Sequence, residues 1–181
     1  FLFVFSNSLR ISALGEAIST NTAMDWMVLI GVFCVMVGLL FKVGAAPFHA
    51  WTPDVYTGAP TPVTGFMAAA VKVAAFAAMA RFYQAVAAYL QRDFLYIFAA
   101  VAVLTILVGT FAGLVQDDVK RMLAYSSIAH AGFILMGILA IQKGGTGHVL
   151  FYTLGYGLAT VGAFGVVTLV RGRDADGNVL G

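Results

Sequence analysis

Three long stretches of this 181-residue chain contain no Asp, Glu, Lys or Arg: residues 94–115, 122–141 and 148–170. They are 22, 20 and 23 residues long. At about 1.5 Å of rise per residue, an α-helix made from any of them crosses the roughly 30 Å hydrocarbon core of a bilayer. The sequence therefore predicts three transmembrane helices in its second half.

The composition indicates that a membrane surrounds the whole chain. Hydrophobic residues make up 61% and charged residues 10%, whereas soluble domains carry roughly 25% charged residues. The mean hydropathy is +0.95. The net charge of +2 is too small and too scattered for a nucleic-acid-binding surface, and the single Cys34 has no second thiol or metal-ligand spacing. We expect no nucleic-acid partner and no disulfide or metal site.

The chain starts at Phe1, without an initiator Met or the basic segment that opens a signal peptide. We therefore expect it to be an internal fragment that begins partway along a helix. We treat residues 1–181 as one membrane domain, a piece of a larger subunit.

Two further apolar stretches, 26–56 and 63–90, are interrupted by charged residues. The first would be about 46 Å long as one straight helix, which exceeds the bilayer core. It contains Pro47 and Pro53, and proline inside a helix removes a backbone donor and clashes with the preceding turn. We predict a discontinuous helix whose first half ends near Ala46.

The second half-helix is predicted to run from Pro53 to about Thr57, with Thr52 as its N-cap, Pro53 in the first turn and an acid after it. Thr61 and Pro62 repeat this start signal for the next helix. The predicted fold is an all-α polytopic transmembrane bundle with about five full spans plus part of one. One of its helices is broken near Pro47.

Small residues spaced four apart let membrane helices approach closely. Gly109 and Gly113 form such a pair in the predicted span 94–115. Two other stripes have the same spacing: Ala70, Ala74 and Ala78, and Gly155, Ala159 and Ala163. We expect close helix packing at all three.

Lys72 is the first candidate functional residue, because it lies about 13 Å into the apolar stretch that starts at residue 63. A charged lysine at this depth costs about 2.5–3.5 kcal/mol. Burial disfavours the charged amine, so such a lysine can take up and release a proton. The alternative is a structural lysine, whose side chain either reaches the membrane interface or bonds to a backbone carbonyl.

Lys42 stands five residues before Pro47. If its helix ended at the membrane surface, the amine would simply reach the headgroups. The apolar sequence continues through Phe48 and Trp51, however, which places the break inside the membrane, where freed backbone groups must face protein or water. Lys42 is therefore a second candidate for proton transfer.

His130 lies in the predicted span 122–141, one turn after Tyr125, Ser126 and Ser127. A neutral imidazole can pass a proton through its two nitrogens, and nearby hydroxyls can hold water. A packing role fits a single histidine in an apolar helix equally well. His49, at the predicted break, is a further possible relay residue with the same alternative.

The sequence contains no metal-binding cluster, no nucleophile with an adjacent base and no phosphate-binding loop. We therefore expect no redox or hydrolytic active site and no bound cofactor in this chain. It would belong to an enzyme only as a subunit.

Two motifs carry a family resemblance. Residues 41–63, FKVGAAPFHAWTPDVYTGAPTPV, resemble the broken-helix signature of the antiporter-like membrane subunits of NADH-quinone oxidoreductase, respiratory complex I. The segment Asp-Val-Tyr-x-Gly-Ala-Pro is most similar to the subunit N branch. Residues 118–132, DVKRMLAYSSIAHAG, and 162–165, GAFG, also match that branch, so the likeness covers nearly all of the chain from residue 26.

The resemblance implies a fold of about fourteen helices with two inverted repeats of five, of which this chain holds the seventh to eleventh helices and the end of the sixth. It also implies that Lys42 and Lys72 belong to a central polar axis that carries protons, and His130 falls on a histidine of the family pattern. FMN, iron–sulfur clusters, NADH and quinone would be bound by other subunits. The implied partners are other membrane-arm subunits, above all neighbouring antiporter-like subunits, the lipid bilayer and protons, in the bacterial inner (plasma) membrane.

The family's glutamate that pairs with the first lysine and the terminal lysine of its path lie on helices absent from this sequence, so the chain contains only part of a path. Two alternatives remain open. One is a subunit of a Mrp-type cation/proton antiporter or a membrane-bound hydrogenase, against which the Asp-Val-Tyr segment argues. The other is a structural membrane subunit whose lysines only anchor helices.

Overall fold

A computed structural model describes residues 2–20, 26–87, 92–141 and 144–170. Every element of regular structure in these ranges is a helix. The helices are α1 (Leu2–Ser6), α2 (Ile11–Thr20), α3 (Trp26–Val43), α4 (Trp51–Gly58), α5 (Thr61–Phe66), α6 (Lys72–Val86), α7 (Arg92–Leu114), α8 (Val119–Leu139) and α9 (Thr146–Leu169). A π-helical turn, Met67–Val71, joins α5 to α6 without interruption.

Five stretches within these helices are long and apolar enough to cross a membrane: Trp26–Val43, Thr61–Val86, Phe94–Leu114, Val119–Leu139 and Thr146–Leu169. This confirms the predicted all-α bundle of five spans. The short helices α1 and α2 precede the first span and pack against α3 and α6. A cluster of buried apolar side chains from α3, α6, α7 and α8 forms the main core.

The helix is broken where the prolines predicted, but both predicted ends of the break were wrong. The first half, α3, ends at Val43 rather than near Ala46, because Gly44 adopts φ +74° and turns the chain out of the helix. The second half, α4, begins at Trp51 rather than Pro53. Its cap position is held by Ala50, whose backbone is already helical.

Thr52 is not the N-cap that the sequence predicted. Its backbone N–H donates to the His49 carbonyl at 2.9 Å, so helical turning begins before it. Its hydroxyl is buried and has no hydrogen-bond partner among the described residues. The predicted start of the next helix at Thr61 and Pro62 is confirmed, although Pro60 and not Thr61 occupies the cap position of α5.

Contacts on both sides of the break hold it in place, and one of them satisfies a buried backbone group. The Ala46 N–H donates to the Thr105 hydroxyl of α7 at 3.0 Å. The Trp51 indole N–H donates back to the Phe41 carbonyl at 2.9 Å, and the two rings stack with centroids 5.8 Å apart. These contacts fix the two halves of the broken helix against each other and against α7.

The glycine pair on α7 packs against α8, as predicted. Gly109 lies directly against the Ala129 backbone, and Gly113 lies beside Tyr125. The other two stripes do not pack closely within the described residues: Ala70, Ala74 and Ala78 are exposed, and Gly155 and Ala159 line an open cleft. Close α7–α8 packing positions the face of α8 that carries the candidate site.

Candidate proton-transfer site

Lys72 is buried near the middle of the span Thr61–Val86, immediately after the π-helical turn. Only 2% of its surface is exposed. Its amine donates to the Ser127 backbone carbonyl at 3.0 Å and to the Ser127 hydroxyl. The side chain therefore points towards α8 inside the bundle, and its amine does not reach the membrane surface.

Tyr56, on the short half-helix α4, covers the other side of this amine. The Lys72 Nζ atom lies 5.9 Å from the centre of the Tyr56 ring, within the range of a cation–π interaction. Tyr56 is 1% exposed and packs edge-on against Phe164 of α9, with ring centroids 6.3 Å apart. The broken helix therefore brings an aromatic face to the buried amine.

His130 lies one helical turn after Ser127 on α8 and faces α9. Its Nδ1 atom is 2.7 Å from the Tyr152 hydroxyl. The ring also packs against Tyr156, with centroids 4.8 Å apart and the ring planes tilted by 32°. His130 and Tyr156 are partly buried, and both line an open cleft of about 440 Å³ between α8 and α9. The described helices thus place this histidine between two phenols at the edge of the bundle.

Ser127 connects the two parts of the site. It accepts hydrogen bonds from the Lys72 amine and lies one helical turn before His130 on α8. Lys72 and Ser127 lie in the buried centre of the bundle, and His130 lies with Tyr152 and Tyr156 at the cleft. We call these five residues the polar row.

Lys42 and His49 lie outside the polar row. Lys42 is exposed at the end of α3, and no hydrogen bond or ion pair joins it to another described residue. His49 lies in the break and is partly buried. Its Nδ1 atom is buried and has no hydrogen-bond partner in the part of the chain that the structure describes. The structure thus joins two of the four predicted site residues, Lys72 and His130, into one row.

Sequence reasoning did not identify Tyr56, Tyr152 or Tyr156 as site residues. Tyr152 and Tyr156 are four residues apart, so they share a face of α9, and this spacing was a usable signal. Tyr56 gave no signal beyond its place in the quoted motif. Among the described residues, no group of three or more His, Cys, Asp or Glu side chains could hold a metal ion.

The sequence of this chain matches one family over nearly its whole length. A family model described as "NADH:quinone oxidoreductase/Mrp antiporter, TM" matches residues 1–178. NADH-quinone oxidoreductase subunit N of Beutenbergia cavernae is 54% identical over 178 residues, which is 98% of this chain and 34% of that protein. The chain spans about a third of the length of the curated relatives it matches.

Two solved structures have the same arrangement of helices. A chain of respiratory complex I from Thermus thermophilus is 38% identical, with a TM-score of 0.73, over 92% of this chain and 34% of that chain. A chain of the Mrp complex from a Dietzia species has a TM-score of 0.81 over 92% of this chain and 30% of that one. At 20% identity, this second likeness shows a shared fold alone. The chain belongs to the NADH:quinone oxidoreductase/Mrp antiporter transmembrane family.

Proposed function

We propose that this chain is part of a proton-translocating membrane subunit of NADH-quinone oxidoreductase in a bacterial plasma membrane. The names of its relatives, at 54% and 50% identity, support this assignment over a Mrp-type antiporter or a membrane-bound hydrogenase. In this proposal residues 1–181 are one piece of a single membrane domain. NADH, FMN, iron–sulfur clusters and quinone are bound by other subunits, and neighbouring antiporter-like subunits are its partners.

Within this function, Lys72 is the proton-carrying group, and the observation that carries the proposal is its buried amine bonded to the Ser127 hydroxyl. A hydroxyl both accepts and donates, so it can receive a proton on one side and release one on the other. A carbonyl alone cannot do this. The Tyr56 ring stabilises the charged amine through its π face while water is excluded.

The polar row then leads to His130. The imidazole can accept a proton on one nitrogen and release one from the other, and its Nδ1 atom is bonded to the Tyr152 hydroxyl. No hydrogen bond joins His130 to Ser127 among the described residues, so we propose that water beside Tyr156, which contacts His130 and lines the cleft, bridges this step. In this scheme protons move between the centre of the bundle and the cleft along α8.

We also propose Lys42, in the last turn of α3, and His49, in the break between α3 and α4, as relay residues. Their resemblance to the family motif supports this role, as do the exposed Lys42 side chain and the unpaired Nδ1 atom of His49 in the described chain. Lys72 gives the relay stronger support than Lys42, because its amine is buried and hydrogen-bonded to Ser127.

A structural role for Lys72 is the competing hypothesis. The bond from its amine to the Ser127 carbonyl, at 3.0 Å, is what a helix anchor would form. An anchor needs neither the hydroxyl nor the tyrosines around it. The two hypotheses differ in what happens to proton translocation when the amine is removed from an assembled enzyme.

We would test the relay by measuring NADH-driven proton uptake in membrane vesicles that carry the intact enzyme. The variants are Lys72→Met, His130→Phe and the double variant, each checked for assembly. Each single change should lower the uptake on the order of a hundredfold or more, because one proton-transfer group typically contributes about 10²–10⁴-fold. Groups acting in series are not additive, so the double variant should fall no further than the lower single variant.

Arg81→Met is the matched control, because Arg81 is an exposed cation on the same span and lies away from the polar row. It should keep uptake close to that of the unmodified enzyme. Normal proton uptake by an assembled Lys72→Met enzyme would overturn the relay and leave the structural hypothesis.

A further inference from the structure

Two adjacent cations at the start of α8 reach across to the half-helix α4. The Lys120 amine donates to the backbone carbonyls of Thr57 at 3.2 Å and Ala59 at 3.1 Å. The Arg121 guanidinium forms an ion pair with Asp54 at 2.9 Å. Because Asp54 lies in the first turn of α4 and Thr57 in its last, the two contacts hold both ends of this helix.

The two contacts differ in strength. The Arg121–Asp54 pair is exposed, with 38% and 71% of the two side chains accessible, and exposed pairs contribute little. Lys120 is half-buried and makes two charge-assisted bonds to carbonyls at the C-terminal end of α4, where the helix dipole favours a cation. Lys120 is therefore the main anchor.

The first turn of α8 is itself fixed. The Asp118 side chain caps this helix by accepting a hydrogen bond from the Arg121 backbone N–H at 2.6 Å. Lys120 and Ser127 are seven positions apart in the sequence. The anchor and the acceptor of the Lys72 amine therefore lie about two turns apart on one helix. α4 and α8 are thus held together on two sides of that amine.

α4 needs such an anchor. It has only eight residues and lies between the break and the Ala59-Pro60 turn, and a helix this short is not stable by itself. Tyr56 lies between the two anchored ends, and its ring covers the Lys72 amine. Any movement of α4 would shift this ring and admit water to the amine.

We propose that Lys120 is a positioning residue: it holds α4 so that the Tyr56 ring stays over the Lys72 amine. This inference rests on the proposed relay, since a fixed ring matters only if Lys72 carries protons. Lys120 does not touch Lys72 and does not itself transfer a proton in this scheme.

The test measures both the exposure of position 56 and proton uptake in the intact enzyme. Tyr56→Cys is introduced together with Cys34→Ser, because Cys34 is exposed, and N-ethylmaleimide labelling is followed peptide by peptide with mass spectrometry. Adding Lys120→Met should raise the labelling rate at position 56 about tenfold or more, the effect of losing charge-assisted bonds on a local opening equilibrium. Adding Lys120→Arg, which keeps a charged donor, should leave the labelling rate nearly unchanged.

Proton uptake is measured with the native Tyr56 present. Lys120→Met should lower it, and Lys120→Arg should restore it. Lys120→Gln keeps a hydrogen-bond donor without the charge, so its labelling rate and its proton uptake should lie between those of Lys120→Met and Lys120→Arg. It also provides a second variant if Lys120→Met does not assemble. If removing the Lys120 amine changes neither labelling nor uptake, or if Lys120→Gln behaves like the native enzyme, the positioning role is wrong.

The two proposals fail in different ways. Normal uptake by Lys72→Met would refute the relay itself, whatever the Lys120 variants do. Loss of uptake in Lys72→Met, combined with unchanged labelling and uptake in the Lys120 variants, would refute the positioning role alone.

Discussion

The contact between α7 and α8 at Gly109 predicts a specific loss of stability in Gly109→Ala. A Cβ atom at this position would lie 2.8 Å from the Cα and 2.9 Å from the Cβ of Ala129. Ordinary van der Waals contacts of a Cβ begin at 3.4 Å. Because the opposing atoms belong to the backbone and to a β-carbon, no side-chain rotation relieves the overlap, and the two helices must move apart.

The expected magnitude follows from two opposing effects. Forcing an extra methyl group into a packed contact costs about 1–3 kcal/mol. Replacing glycine by alanine inside a helix returns up to about 1 kcal/mol. Because the opposing atoms cannot rotate away, the cost lies at the upper end of this range. The net expectation is a free energy of unfolding about 2 kcal/mol lower, with the strain centred one residue from His130.

Gly155→Ala is the matched control, because nothing lies within 4 Å of a Cβ added at that helical position. Thermal unfolding of the detergent-solubilised enzyme, followed together with the assembled fraction, compares the two variants. Gly109→Ala should unfold at a lower temperature and Gly155→Ala at the same or a slightly higher one. Equal unfolding temperatures for the two variants would show that α7 and α8 do not pack at Gly109 as described.

Two further predictions concern buried hydroxyls. Ser127→Ala should lower NADH-driven proton uptake in vesicles, because the Lys72 amine then keeps only the carbonyl acceptor. Thr168→Val is the control, because the Thr168 hydroxyl bonds within its own helix among the described residues. Equal uptake by the two variants would contradict the prediction. Thr105→Val should lower the unfolding temperature, because it leaves the Ala46 N–H buried without its acceptor at a cost of about 1–3 kcal/mol. An unchanged unfolding temperature would mean that this N–H finds another acceptor.

The positions of the spans were predictable because the membrane excludes charge over a fixed thickness. The uncharged stretches correspond to α7, α8 and α9 within a few residues. The ends of the break were not predictable, since they depend on the positive φ of Gly44 and on the return bond from the Trp51 indole. Nothing in the alanine-rich segment Met67–Val71 signals the π-helical turn.

Lys72 could be identified from the sequence because an amine in a long apolar stretch is costly wherever it points. Its partner could not, because Ser127 is 55 residues away and one hydroxyl among several. The tyrosines around it were missed for the same reason, as phenols are common in membrane helices and acquire a role only through tertiary contacts. The exposure of Lys42 also depends on packing that the sequence does not reveal.

We propose that the amine of Lys72 carries protons across the membrane during NADH oxidation. The most direct test is the number of protons translocated per NADH oxidised by the assembled Lys72→Met enzyme in sealed vesicles. We predict that this ratio falls below that of the native enzyme. A ratio equal to the native value would contradict the account, because proton translocation would then proceed without the amine.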